Sequence, residues 1–263
     1  MISVDINQLY GWLNAFLWPF IRILALLGTA PLLGDGSIPT RVKVGFAAII
    51  AVGIAPTLDP MPDLPTGSFA ALWLAVQQVL IGIAMGLVMR IVFAAVQTAG
   101  EFIGLQMGLS FASFFDPATG ANTAVLARFM NNMALLLFLA LNGHLIMLAG
   151  LIRSFDVLPI RVGSLDTNGW GVLFEWSSQV MVSGMLLALP LIIVLLTINL
   201  ALGILNRTAQ QLSVFAVGFP ISLMTGLVLL ATVLPQSSSF LSRFFEEGYS
   251  TMARLAQALA GGG

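Results

Sequence analysis

Four side chains in this 263-residue chain carry ionisable groups inside or beside long apolar runs: Arg22, Arg90, Glu101 and His144. A cation held at the centre of a hydrocarbon-embedded helix costs ~2.5–3.5 kcal/mol, so each group needs a partner, water or an interface. One chemistry for such a set is an ion or substrate path, with Glu101 and His144 as a proton relay. Plainer readings compete with it. Arg22 and Arg90 also suit snorkelling or subunit-facing positions near segment ends, and His144, the one histidine, suits hydrogen-bonded packing in a helix that also carries Asn131 and Asn132. Catalysis has little to work with. Zero cysteines exclude disulfides, thiolate metal sites and a Cys nucleophile, and one histidine gives too few donors for a metal centre. No Ser/His/Asp spacing, phosphate-cradling Gly-rich loop or pair of catalytic carboxylates on one helix is present. No enzymatic activity, catalytic residue, metal or cofactor is expected.

The elements that position these residues are membrane-length helices. Hydrophobic residues make up 59% of the chain and charged ones 8%, against roughly 25% charged in a soluble protein, so no water-facing surface can be built. Six apolar segments stand out: Leu13 to Leu33, Arg41 to Leu58, Phe69 to Val96, Phe129 to Leu151, Val180 to Leu205 and Leu212 to Leu234. About 20 residues cross a hydrocarbon core as a helix. The first cation is Arg22 and no small-residue cleavage site precedes the first apolar run, so that segment is expected to be retained. A net charge of −1 with no Lys/Arg cluster offers nothing to a nucleic-acid backbone. Three alternating prolines at Pro60, Pro62 and Pro65 break the chain after the second segment. A polar connector is expected from Arg153 to Ser178, and a mildly amphipathic tail after Pro235. Basic residues favour a cytoplasmic side for Arg41, Lys43 and Arg207, with both termini periplasmic.

Three further features shape the segments. Pro19, Pro190 and Pro220 remove backbone hydrogen bonds within them and are expected to kink the helices, the last two as a bent hairpin around Arg207. Gly82 and Gly86, then Gly100, Gly104 and Gly108, recur every four residues and cut grooves that admit a close neighbour. Gln97 and Glu101 add a polar stripe unsuited to lipid. Beyond Gly108, the run Leu109, Ser110, Phe111, Ala112, Ser113, Phe114, Phe115, Asp116, Pro117 carries aromatics into a helix-terminating Asp-Pro. It fits either a re-entrant, plug-like loop, which at membrane depth implies a pore or an oligomer, or an interfacial loop with aromatic anchors.

At these residues the chain closely resembles the FliR/SctT family of type III export-gate subunits. Three stretches carry the match: Arg22 through Gly34 with Ile38-Pro39 and Arg41-Val42-Lys43; Gly100 through Ala112 with Asp116-Pro117 and Leu141-Asn142-Gly143-His144; and Asn199 through Gly203 with Asn206-Arg207, Gln211 through Phe215 and Gly218-Phe219-Pro220. Gln210 stands where the family often has a proline. The resemblance implies an all-α membrane protein of kinked helices and helical hairpins, packed in a helical hetero-oligomer. Its parts would be a FliP-like region at 1–178 that includes a plug loop at 106–122, a FliQ-like hairpin at 179–235 and an amphipathic tail at 236–263. It further implies a channel for unfolded flagellar proteins, built with several copies of FliP and FliQ beside FlhB and FlhA, in the bacterial inner membrane at the flagellar basal body, with much of the assembly on the periplasmic side. Lipid is a partner by this resemblance, and nucleic acid is not.

By the same resemblance Gly108, Leu109, Ser110, Phe111, Phe114, Phe115, Asp116 and Pro117 form the plug or gate. Gly82, Gly86, Gly100, Glu101, Gly104, Pro190 and Pro220 serve subunit packing, and Arg207 and Gln211 face the cytoplasmic mouth. The competing functions are a virulence injectisome homologue, a stand-alone transporter that uses the four ionisable groups, and an intramembrane hydrolase.

Overall fold

The computed structural model describes residues 6–59, 61, 62, 64, 68–109, 125–208 and 214–261. Among them the chain is helical, with no strand: α1 (Ile6–Thr29), α2 (Thr40–Ile54), α3 (Phe69–Gln106), α4 (Val125–Ala140), α5 (Gly143–Val157), α6 (Gly169–Ser177), α7 (Gln179–Thr208) and α8 (Val214–Leu259), with a 3-10 turn at Ala55–Thr57. The chain is an all-α membrane protein. Among the described residues five stretches are long and apolar enough to cross a bilayer, and α4 with α5, bent by 68° at their break, reaches that length and hydropathy only as a pair.

Three boundaries differ from the sequence expectation. The third apolar segment does not stop at Val96; α3 runs on to Gln106 through Gln97 and Glu101, because its Gly-bearing face is packed there. The fourth segment is two helices. Asn142 sits at a positive φ of 55°, a left-handed conformation that asparagine tolerates better than most residues, and the helix restarts at Gly143. The last helix passes through Pro220 and Pro235 to Leu259, so the stretch after Pro235 is helix as far as Leu259. The polar connector also changes character. Arg153 lies within α5, Gly169–Ser177 forms α6, and Leu158, Ile160 and Trp176 are buried.

The chain divides into two compact units, each assembled from separate stretches. The first takes Met1–Ile91, Asn142–Ser177 and Phe245–Gly263. Its core brings together Trp18, Ile23, Leu26 and Leu27 of α1, Leu74, Ile81, Met85 and Met89 of α3, and Met147 and Leu151 of α5. Glycines set the closest approach. A Cβ at Gly82 would meet the Arg22 carbonyl and Ala25, and one at Gly86 would meet Thr29 and the Ala30 amide, so the groove of these two glycines is filled by α1 of the same chain. Trp176 on α6 donates its indole N–H to the Val88 carbonyl at 2.9 Å.

The second unit takes Val92–Leu141 and Ser178–Phe244. Here a Cβ on Gly100 would lie 2.5 Å from Ala127 Cα on α4, and one on Gly184 of α7 would lie 2.9 Å from the Ala95 carbonyl. Phe93 and Phe138 meet edge to face at 5.5 Å, a favoured aromatic geometry.

These contacts separate two kinds of glycine. Gly86→Val is expected to force α1 and α3 apart and to destabilise the protein by about 1–3 kcal/mol, lowering its melting temperature in detergent. Gly104→Ala is expected to be neutral or mildly stabilising, because its added Cβ would find nothing nearer than Leu126 Cβ at 3.7 Å. Equal melting of the two variants would contradict this packing.

Candidate functional site at the root of the 106–122 loop

The described residues fix the end of α3, from which the expected plug segment would continue. Helix α3 ends at Gln106 and is capped by Gly108, whose φ of 80° is left-handed. The Leu109 amide turns back to the Gly104 carbonyl at 3.0 Å and the Gly108 amide to the Leu105 carbonyl at 3.1 Å. That pair of bonds is a Schellman cap, which satisfies two carbonyls the helix end would otherwise leave open. A side chain at Gly108 would push against its own carbonyl in this conformation, at a cost of about 1–2 kcal/mol.

Three neighbours hold the capped end. Met107 is fully buried, and its side chain fills the notch at Gly226 of α8, where an added Cβ would stand 2.5 Å from Met107 Cγ. Asn199 of α7 donates its amide N–H to the Gln106 carbonyl at 3.3 Å, and Ser222 of α8 donates its hydroxyl to Asn199 Oδ1 at 2.7 Å. A carbonyl freed by the end of a helix is thus satisfied by a side chain, and that side chain by another. The chain is held as closely where the described residues resume, since Gly100 admits Ala127 of α4.

Substitution at the cap is expected to follow the cost of positive φ. Thermal stability should fall in the order Gly108, then Asn, then Ala, then Val, with Ala about 1–2 kcal/mol below the native chain. Melting curves that place Ala level with Gly would show that the cap does not fix this turn.

The other sequence candidates are dispersed. Ser110, Phe111, Phe114, Phe115, Asp116, Pro117 and Gln211 lie outside the described residues. Gly108 and Leu109 are partly buried, while Glu101, Arg90 and Arg207 are exposed. Pro190 and Pro220 are exposed on α7 and α8. Glu101 belongs to the second unit and His144 to the first. The imidazole Nδ1 of His144 and the amide oxygen of Asn131 are buried without a hydrogen-bond partner among the described residues. No group of three His, Asp or Glu side chains converges there on a metal-sized site.

Arg22 is the exception. It is fully buried in the first unit, where its Nε donates to Gln78 Oε1 at 2.7 Å, one terminal nitrogen to the Ser154 carbonyl and hydroxyl at 3.2 and 3.1 Å, and the other to the Leu158 carbonyl at 3.0 Å. The guanidinium also lies 4.2 Å from the Phe155 ring centre, a cation–π distance. Every one of these partners is neutral. Arg22 therefore clasps α1, α3 and α5 together and faces neither lipid nor a conduit. Gln78, Ser154, Asn199, Ser222 and Gly226 had no assigned role in the sequence reading, and Met107 had one only as part of the plug segment at 106–122. The available signal was polarity out of place: Gln77-Gln78 and Asn199 interrupt runs that are otherwise apolar.

Residues 13–248 match the family described as Bacterial export proteins, family 1. The chain belongs to this family, in its flagellar FliR branch. Similarity extends over full lengths. The Flagellar biosynthetic protein FliR of Escherichia coli (strain K12) is 51% identical across 98% of this chain and 99% of its own. That of Pectobacterium carotovorum subsp. carotovorum is 45% identical across 99% of each, and that of Bacillus subtilis (strain 168) is 33% identical across 95% of this chain and 97% of its own. An export protein of this kind is a component of flagellar biosynthesis and transport, and the names of these relatives indicate no enzyme.

Proposed function

We propose that this chain is a subunit of the flagellar type III export gate. With several copies of FliP and FliQ it forms the channel that passes unfolded flagellar proteins across the bacterial inner membrane, next to FlhB and FlhA. The observation that carries this reading is end-to-end similarity to flagellar FliR proteins from distant bacteria. The surface supports it. Leu186, Ile193, Leu200 and Ile204 of α7 and Met224 and Val228 of α8 are all exposed, alongside an exposed Thr197 and Pro190. An apolar face this extensive, interrupted by helix-bending and polar residues, suits sister helices better than a uniform lipid coat.

In this reading the loop at 106–122 closes the channel, and its Phe111, Phe114 and Phe115 exclude water and ions from a narrow pore. The Schellman-capped root gives it a fixed attachment. The stretch 179–235 is the FliQ-like hairpin, 1–178 the FliP-like part and 236–263 the tail, while Arg207 and Gln211 face the cytoplasmic mouth. Gentle detergent extraction followed by mass spectrometry of the intact complex tests the assignment. FliP and FliQ should leave the membrane bound to this chain; recovery of a stable monomer, from cells whose filaments assemble without it, would overturn the proposal.

A further inference from the structure

We infer that a small polar cleft in the first unit, between α3 and the connector at 158–168, receives a carboxylate from an adjacent subunit, gripped by Arg161, Ser164 and the Gln78 amide. This rests on the export-gate reading and gives one contact of that assembly a chemistry. The cleft has a volume of about 20 Å³, with buried Gln77, Gln78 and Ile81 of α3 on one side and exposed Arg161, Gly163 and Ser164 on the other. That is room for little more than one water-sized group, such as the tip of a side chain.

Its polar side chains are set to donate. Gln78 turns Oε1 to the Arg22 Nε at 2.7 Å, and its amide NH2 makes no hydrogen bond among the described residues. The side chains of Arg161 and Ser164 make no hydrogen bond or ion pair there either. A guanidinium and an amide NH2 carry donors only, and a serine hydroxyl adds another. Gln77 donates to the Gly163 carbonyl at 2.6 Å, which engages that acceptor and ties the connector to α3. Behind Gln78 stands Arg22, a buried cation whose described partners are all neutral. Its N–H polarises the Gln78 amide and strengthens the donors on the far side. An anion in the cleft is therefore met by one guanidinium directly and by a second charge through one amide.

The occupant these donors favour is a protein carboxylate. The fork of a guanidinium matches its two oxygens. A free small anion would give up its translational freedom for a few contacts at an open cleft, whereas a side chain presented by a docked neighbour arrives at high effective concentration. Anionic lipid is drawn by clusters of basic residues. Here the stretches 142–177 and 245–263 of the first unit set Asp156, Asp166, Glu175, Glu246 and Glu247 against Arg153, Arg161 and Arg254. The acid of the connector itself is turned elsewhere: Asp166 accepts the Asn168 amide N–H at 2.9 Å and does not line the cleft.

Lys43 is the only lysine in the chain, so Arg161→Lys adds a single new amine. A water-soluble carbodiimide applied to the detergent-extracted complex should join that amine to the occupant carboxylate as an amide, with loss of water. Mass spectrometry should then find position 161 linked to an Asp or Glu of another chain, and Arg161→Gln should give no such adduct. Arg161→Glu should lower the yield of intact complex on the order of tenfold, because like charges then face each other. Replacing the crosslinked acid by arginine in the same cells should restore it. No adduct at 161, as a lipid or a solution anion in the cleft would give, overturns the site. So does an adduct only to an acid of this chain, or a charge swap that restores nothing. A preparation without FliP and FliQ would refute the export-gate reading and take this site with it, whereas an intact complex without the adduct sinks the site alone.

Discussion

Replacing residues 110–122 with a short flexible linker is expected to make the membrane leak ions while flagellar export continues. In the proposed gate the aromatic loop contributes closure and the helices contribute the conduit, so deletion removes one function and spares the other. A pore without its dewetting constriction conducts whenever it is hydrated, and leak should rise on the order of tenfold or more. The deletion must leave residues 104–109 and the start of α4 untouched. The Schellman cap, the Asn199–Ser222 hydrogen bonds and the Gly100–Ala127 contact then still hold both ends. Membrane conductance and filament length measured in the same cells decide the matter. Normal conductance would remove the loop from gating, and lost filaments with normal conductance would make it part of the substrate path instead.

Arg22→Met is expected to be the most damaging single substitution in the first unit. Methionine fills much of the volume but leaves the Gln78 amide oxygen, the Ser154 carbonyl and hydroxyl, and the Leu158 carbonyl short of a donor in a buried site. Each buried acceptor left without a donor costs about 1–3 kcal/mol. That is a large share of the stability of a typical domain. Arg22→Lys should recover little, since one ammonium on a flexible stem cannot serve three elements at once. Both variants are expected to lose abundance and melt early in detergent. An Arg22→Met protein of native stability with failed export would return Arg22 to a functional path. The double change Arg22→Met with Gln78→Leu should recover part of the loss, because it removes a stranded acceptor along with its donor.

Much of the fold was legible before any coordinates. Hydropathy located the membrane-length helices because burial of apolar surface, at either lipid or protein, imposes runs of about 20 residues. Gly82, Gly86 and Gly100 stood out by their spacing, and each marks a close helix approach. The partner was not legible. A four-residue glycine repeat states that a backbone comes near, and the structure supplies α1 and α4 of the same chain as the helices that do. The Leu141–Asn142 break could have been suspected from Asn-Gly, yet only a residue actually held at φ 55° separates a broken span from a continuous one.

The amino-acid sequence by itself determined that this is a helical membrane protein and where its apolar helices run, because composition and periodicity report on the solvent each residue meets; the export family was legible only from the particular residues of the stretches at 22–43, 100–144 and 199–220. Tertiary structure alone decided what the polar exceptions do. Arg22 admitted a pathway role or a snorkelling or subunit-facing one, and proved instead to be a clasp on Gln78, Ser154 and Leu158. Asn199, which the sequence marked only as part of a matching stretch, proved to hold the capped end of α3. The physical reason is that a hydrogen bond depends on atoms about 3 Å apart, and the partners of Arg22 lie 56 to 136 residues away along the chain, a distance no local pattern encodes.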